Sequence, residues 1–247
     1  MSLHGMKAKG LTAKFTTFLF LWEGARELNQ GLFVSSGINE ISALKDKILG
    51  VDASTTGFAV VLRYILQRNN LLFERDYSFK RVGSSRVRLA ELVAGNIAGA
   101  MLNPRYVEAS GASTLRQLAA GKDYVDPYPT RVGLTTRKWA RSHGSLLVRF
   151  IGAILQAVNW ILESKNKRET IEIINTRMGR SPEQAEEDYH RLLGPSAGLT
   201  DRCAFDPHSL STVLEMRRRL GMIQSPLPSL GKYYDDSFYR EAVSLSR

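Results

Sequence analysis

Apolar and polar positions follow two regimes along this chain, and the change comes near residue 137. Before it, short aliphatic runs alternate with stretches of helical spacing. The runs 31–34 (GLFV), 48–52 (ILGVD), 77–82 (YSFKRV), 98–102 (AGAML) and 129–135 (PTRVGLT) predict strands. Residues 57–67 and 85–94 carry apolar side chains on one helical face. Strand, helix, strand, helix in that rhythm predicts an α/β unit with a largely parallel sheet.

After Arg137 the pattern is helical almost to the end. Leu147, Phe150, Ile151, Ile154, Leu155, Val158 and Ile161 share one face of a long helix. Asn166, with Glu169 three residues on, starts a second. Ser181-Pro182-Glu183-Gln184 reads as a capping box with proline at the first helical position and starts a third. Asp206-Pro207 repeats the cap-and-proline signal for a fourth, which Arg217, Arg218, Arg219 and Gly221 close. A short terminal helix is expected from about Asp235, its first turn capped by the neighbouring carboxylates.

Composition narrows the functional classes. With 43% hydrophobic and 23% charged residues among 247, the chain can bury a core. One cysteine, Cys203, excludes an internal disulfide framework and a Cys₄ or Cys₂His₂ metal site. The histidines His4, His143, His190 and His208 are scattered, so no HExxH zinc helix exists, and no Gly-x-Ser-x-Gly elbow is present. Nothing in the sequence calls for a metal, a cofactor or a catalytic residue. A net charge of +10 favours anionic partners without choosing among them.

At the start, Lys7, Lys9 and Lys14 precede an apolar run at 15–22. This resembles the front of an export signal, but the run is short and leads into Glu23 instead of a small-x-small site. The longest apolar stretch, 146–162, is interrupted by Arg149, Gln156 and Asn159. A bilayer span needs about 20 predominantly apolar residues, so an amphipathic core helix is expected and no transmembrane segment.

Two strand-to-helix turns stand out. In VDASTTGFAVVLRYIL, Ser54, Thr55, Thr56 and Gly57 lie where the free N–H groups and positive dipole end of a helix collect. That is an anion cradle, or an ordinary Ser/Thr cap. The second turn, Asn103-Pro104-Arg105-Tyr106, follows the strand AGAML, at the kind of strand end where α/β sheets bind ligands. It reads equally as a plain cap with proline behind it. Neither a GxGxxG nor a GxxxxGK[ST] loop is present, so a nucleotide is not the favoured ligand.

The segment 131–149 holds Arg131, Arg137, Lys138, Arg141 and Arg149 with Trp139 and His143 and no acid. Without a helix-turn-helix or RNP pattern it reads as a solvated basic face, and no nucleic-acid partner is expected. The run Arg217-Arg218-Arg219 ends a helix and reads as structural.

Taken in order, GLFVSSGINEISALKDKILGVDASTTGFAVVLRYIL, LLFERDYSFKRVGSSRVRLAELVAGNIAGAMLNPRY, WARSHGSLLVRFIGAILQAVNWI, NKRETIEII, AEEDYHRLL, LSTVLEMRRRLG and KYYDDSFYREA resemble one family. It is the nitrate/sulfonate/taurine and thiamine-pyrimidine group of ABC-importer binding proteins, with the type II periplasmic-binding-protein fold. The resemblance implies two α/β lobes closing on a small anion or heteroaromatic. It also implies a membrane permease as partner, a monomer, a periplasmic location and no enzymatic activity. It carries Ser54, Thr55, Thr56, Gly57, Asn103 and Pro104 onto the ligand cleft, with 83–86 (GSSR) as a lesser candidate.

On that template residues 1–30 form an atypical N-terminal segment, and 31–49 a remnant of lobe 1 with the linker. Residues 50–130 form the α/β lobe 2, and 131–247 a mainly helical return to lobe 1. The family's chain opens with two strand–helix units that are not recognisable ahead of GLFV, so the first lobe is expected to be incomplete. The other readings are a cytoplasmic pyrimidine-related enzyme and a ligand-responsive domain on the same fold. The fold's iron-dependent pyrimidine synthases use a cysteine-rich motif that a single cysteine excludes.

Overall fold

A computed structural model describes residues 28–130, 132–194, 199 and 203–246. The 15–22 run with its lysines, and Arg131, lie outside these residues. The described residues fall into two compact units. One comprises Leu28–Pro127 with Thr212–Leu227, and the other Tyr128–Ser211 with Pro228–Arg247.

The first unit carries a five-stranded sheet. Its strands are β1 (Gly31–Val34), β2 (Lys47–Val51), β3 (Tyr77–Arg81), β4 (Gly99–Leu102) and β5 (Arg116–Ala120), in the spatial order β3-β2-β4-β1-β5. β2 is parallel to both β3 and β4. β1 runs antiparallel between β4 and β5. Residues 31–49 and the strands of 50–130 thus contribute to one sheet.

Helices α1 (Gly57–Arg68) and α2 (Ser85–Val93) make the crossovers, and α3 (Pro104–Ala109) follows β4. In α1, Ala59, Val60, Val61, Leu62, Tyr64, Ile65 and Leu66 are all buried. At about 1.5–3 kcal/mol for each large side chain, this burial outweighs any propensity term. Beside them, Phe33, Leu89, Leu92, Ile97, Ala100, Leu102 and Val107 form one cluster. A Cβ at Gly50 of β2 would stand 2.3 Å from Ile97 Cδ1, so any side chain there would displace Ile97 from the core.

The second unit is helical: α4 (Arg137–Ser142), α5 (Gly144–Leu162), α6 (Lys167–Met178), α7 (Pro182–Leu192) and α9 (Ser237–Leu245). α8 (Pro207–Arg219) begins in this unit and ends in the first. On α5 the residues Leu147, Val148, Ile151, Leu155 and Val158 are buried against Ala140, Cys203 and Ala242. Of the stripe the periodicity predicts, Leu147, Ile151, Leu155 and Val158 are buried, Ile154 and Ile161 are half-buried and Phe150 is 53% exposed, while Val148 is buried beside them. Among the described residues α5 is the one helix long and apolar enough to cross a membrane. A smaller cluster joins Ile174 of α6 to Ala185 and Tyr189 of α7.

Helix ends follow the sequence signals closely. Ser181 Oγ accepts from Gln184 N–H at 3.2 Å while Gln184 Oε1 accepts from Ser181 N–H at 3.1 Å, the full capping box. Asp206 Oδ1 accepts from His208 N–H at 2.9 Å, and Asp235 Oδ1 from Ser237 N–H at 3.0 Å. Asn166 behaves differently: its side chain does not cap α6 but donates to Trp160 O at 2.8 Å.

Helices α1, α2 and α8 end in one motif. After α1, Asn70 takes a positive φ and Leu71 N–H reaches Leu66 O; after α2, Gly95 does so and Asn96 N–H reaches Glu91 O. After α8, Gly221 does so and Met222 N–H reaches Arg217 O. Each left-handed residue turns the chain so that the carbonyls of the last turn find donors.

Two expectations fail. The sheet is not largely parallel, because β1 pairs antiparallel on both sides and makes two of the four pairings antiparallel. Nor do the described residues of 129–135 form the expected strand. Pro127 and Pro129 remove two N–H donors just where the ladder would start. The fifth strand is instead RQLAA, which carries no β-branched or aromatic residue and is held by pairing with β1.

Candidate functional site

Chain order and spatial order part company at β2. α1 leads from β2 outward to β3, and α2 leads back to β4 on the other flank of β2. In an open α/β sheet, connections diverging from neighbouring parallel strands leave a crevice beyond their carboxyl ends. The register Leu49↔Gly99, Gly50↔Ala100 brings the ends of β2 and β4 to the same level. The turns 52–57 and 103–104 therefore lie at one edge of the sheet, side by side. Both turns singled out in the sequence lie at this edge, and the turn 82–85 after β3 lies beside them.

At the first turn, Ser54 is exposed while Thr55, Thr56 and Gly57 are half-buried. Thr56 caps α1 only through its carbonyl, which accepts from Val60 N–H at 3.0 Å. Its hydroxyl makes no capping bond. That hydroxyl instead lies 2.5 Å from Asp52 Oδ1 and 3.0 Å from Ala53 O. The Thr56 hydroxyl is therefore turned back toward Asp52 and Ala53 and does not cap the first turn of α1.

The second turn is a plain cap. Asn103 Oδ1 accepts from Arg105 N–H at 3.0 Å, and Pro104 takes the first helical position. The third turn is tied down on both sides. Val82 and Gly83 N–H both donate to Val51 O, at 2.7 and 3.4 Å, and Ser84 Oγ accepts from Val87 N–H at 3.5 Å.

Two charged residues at this edge are not among the sequence candidates. Arg88 of α2 is 3% exposed. Its guanidinium donates to Gly83 O at 2.6 Å, Ser85 Oγ at 3.1 Å and Met101 O at 3.4 Å, so it fastens the third turn to the end of β4. Burial lowers its pKa, and the attraction of Asp52 partly offsets the shift. Arg88 stands one turn before Leu92, and the fold puts that side of α2 inward. Asp52 is the first residue beyond β2 and is half-buried.

The basic segment of the helical unit is partly committed elsewhere. Arg137 donates to Gly231 O and Lys232 O at 2.8 and 3.0 Å, and Trp139 stacks on His143 with ring centroids 4.7 Å apart. In the closing turns of α8, Arg218 and Arg219 pair with Glu215 at 2.6 and 2.8 Å. The helix-end reading of that run holds.

Against known proteins, the sequence profile described as the NMT1-like family matches residues 29–175. A comparison with curated proteins found no match. Among solved structures, the chain is similar to a ligand-binding component of an ABC-type import system from Staphylococcus aureus, solved with zinc bound. The TM-score is 0.68 at 13% identity, covering 96% of this chain and 77% of that one. It is also similar to the alkanesulfonate-binding protein SsuA from Xanthomonas axonopodis, bound to MOPS. There the TM-score is 0.63 at 15% identity, with coverage of 89% and 74%. The desulfurization enzyme DSZB is similar as well, with a TM-score of 0.60 at 15% identity and coverage of 98% and 83%. Among the described residues no group of three His, Cys, Asp or Glu side chains could hold a metal ion.

Proposed function

The chain belongs to the NMT1-like family and has the α/β fold of periplasmic binding proteins, and from that premise we propose that it is the solute-binding component of an ABC importer. Its ligand is a small anion or heteroaromatic of the sulfonate, nitrate, taurine or pyrimidine kind. The ligand sits at the carboxyl edge of the sheet against Ser54, Thr55, Thr56 and Gly57, with Asn103 and Pro104 on the opposite flank. The observation that carries the reading is the strand order, in which the connections after neighbouring parallel strands β2 and β4 diverge. There the N-cap residue Thr56 makes no side-chain cap bond to α1, which supports a helix N-terminus whose dipole and N–H groups meet a ligand oxygen.

In this reading residues 50–130 are the ligand-bearing α/β lobe and 131–247 return to the other lobe. Binding favours the closed form by its differential affinity for closed over open. The protein acts as a monomer outside the cytoplasmic membrane and docks on a membrane permease. No chemistry is performed on the ligand.

The test is thermal. Purified protein is heated with alkanesulfonates, 2-aminoethanesulfonate, nitrate, bicarbonate, phthalates and pyrimidines. At about a hundred times Kd a true ligand adds about 2.7 kcal/mol, a melting shift on the order of 5–10 °C for a chain of this size. A folded sample that no compound stabilises at saturating concentration overturns the proposal. The likeness to DSZB supports a second reading, an enzyme on the same lobes. Mass spectrometry of the incubated panel separates the two, since an importer component returns every compound unchanged.

A further inference from the structure

We infer a second binding site on the sheet unit, at the amino end of its parallel strands, where Arg63 and Tyr77 offer two unpaired donors to the carboxylate of a small aromatic acid. It lies apart from the carboxyl edge assigned above to the solute, and it stands or falls independently of that reading.

Tyr77 opens β3, the outer strand of the sheet, and pairs in register with Lys47 at the start of β2. From Tyr77 to Arg81, where β3 reaches the other edge, is about 13 Å at the usual rise per residue. The rings of Phe73, Tyr77 and Phe79 form a triangle with centroids 4.7, 5.6 and 5.7 Å apart. Arg63 of α1 lays its guanidinium over the Phe73 ring, with Cζ 4.6 Å from the centroid.

What this cluster lacks is an acceptor. Tyr77 is 4% exposed, and its hydroxyl has no hydrogen-bond partner. Arg63 Nε is buried and equally unpaired, and among the described residues Arg63 forms no ion pair. The adjacent carboxylate, Asp76, is already engaged: its Oδ2 accepts from Leu72 N–H and from Arg75 Nη2, each at 2.7 Å. Burial raises the Tyr77 pKa, so the hydroxyl keeps its proton and stays a donor at neutral pH.

A buried donor without a partner is destabilising, and native folds keep few of them. Phenylalanine at position 77 would fill the same triangle without that cost. Two orphan donors in one cluster therefore call for an acceptor from outside the chain. A carboxylate fits best, because its two oxygens can take the guanidinium fork and the phenol together. Phe73 and Phe79 are half-buried, which leaves ring edges for an aromatic body. Arg63 is half-buried too and is held only by stacking, so it can swing out to admit the acid and close over it.

Calorimetric titration of the full chain with benzoate, benzamide and acetate tests this, with amide shifts by NMR to locate the site. Wild type is expected to bind benzoate about tenfold tighter than either of the others. The shifts are expected at Arg63 and 73–79, and not at 54–57 or 103. Arg63→Gln should weaken benzoate about tenfold or more and Tyr77→Phe about three- to tenfold, with Arg63→Lys between Arg63→Gln and wild type. Tyr77→Phe should also leave the ligand-free protein as stable as wild type or raise its melting temperature. A hydroxyl already satisfied inside the fold would lower it on removal.

No benzoate binding by folded wild type, shifts confined to 54–57 and 103, or equal binding of benzoate and benzamide overturns the inference. So do variants that bind benzoate as wild type does, and a lower melting temperature for Tyr77→Phe. Tighter binding of N-acetylglutamate amide than of benzoate overturns it in favour of a carboxylate carried by a protein. None of these results touches solute binding at the carboxyl edge, which the thermal panel tests on its own.

Discussion

Among the described residues, the largest side chains that are wholly buried include Leu32, Leu49, Leu62, Ile65, Leu66, Leu92, Ile97 and Leu102, and every one belongs to the sheet unit. In the helical unit the most deeply buried positions are small: Ala140, Ala185, Cys203 and Ala242. Its larger apolar residues divide between a partly closed core and the surface, where Phe150, Ile173 and Met178 stand exposed. The difference follows from the elements available. A sheet with α/β crossovers offers broad apolar faces and needs helices laid across them, so side chains between the layers are enclosed. Helices meeting only helices bury stripes. The rigid sheet is also the element that carries the candidate crevice, which suits a site whose geometry must be fixed to within an ångström.

The sharpest way to break this comparison is to make matched cavities. Leu92→Ala, in the wholly enclosed cluster under β4, is expected near the upper part of the range of about 2–5 kcal/mol for such truncations. Ile174→Ala, in the small α6–α7 cluster, is expected at its lower end, because fewer neighbours surround the side chain and the site collapses more easily. Hydrogen exchange resolved by region reads each unit separately, which a single melting curve for two units cannot do. Equal losses in the two units remove the distinction drawn here.

A smaller effect probes local signals in the helical unit. Ser181→Ala removes one half of the capping box and is expected to cost about 1 kcal/mol, seen as faster exchange confined to the first turn of α7. Loss spreading through both units would mean that α7 is more deeply integrated than its packing indicates.

The smallest effect is electrostatic and lies at the end of α8. Hydrogen bonds from Arg218 and Arg219 hold the Glu215 carboxyl down to about 2, from an ordinary 4.5. The folded pKa lies below the unfolded one, so the pair's contribution is complete above about pH 4.5 and fades as pH falls toward 2. The groups are exposed, so screening keeps the gain slight. Carboxyl titration by NMR should show the depressed value, and Glu215→Gln should flatten only the acid limb of stability against pH.

Much of this architecture was legible in the chain because local signals and packing agree. GLFV, ILGV, YSFKR and GAML are strands, the helices fall where the periodicity puts them, and SPEQ builds its capping box. What escaped was non-local. RQLAA is a strand because β1 needs a partner, not because its residues prefer one, and PTRVGLT fails because of prolines beside it. The direction of β1 has no signature in hydropathy, since apolar period reports burial and not polarity of pairing. At the site, both turns were visible, but the carboxylate and guanidinium beside them were not. Asp52 looks like the last residue of a strand, and Arg88 becomes notable only once its side of α2 is known to face inward.

The position of β1 has a consequence for how the chain is made. During synthesis Gly31–Val34 emerges before either neighbour exists, and Gly31 must wait for Leu102 and then Ala120. Its insertion closes a long loop, the slow kind of event in folding. Until β4 arrives, four apolar residues that end fully enclosed remain an open strand edge to which other chains can add. The most vulnerable moment for this protein is therefore set by the order in which the ribosome delivers its strands.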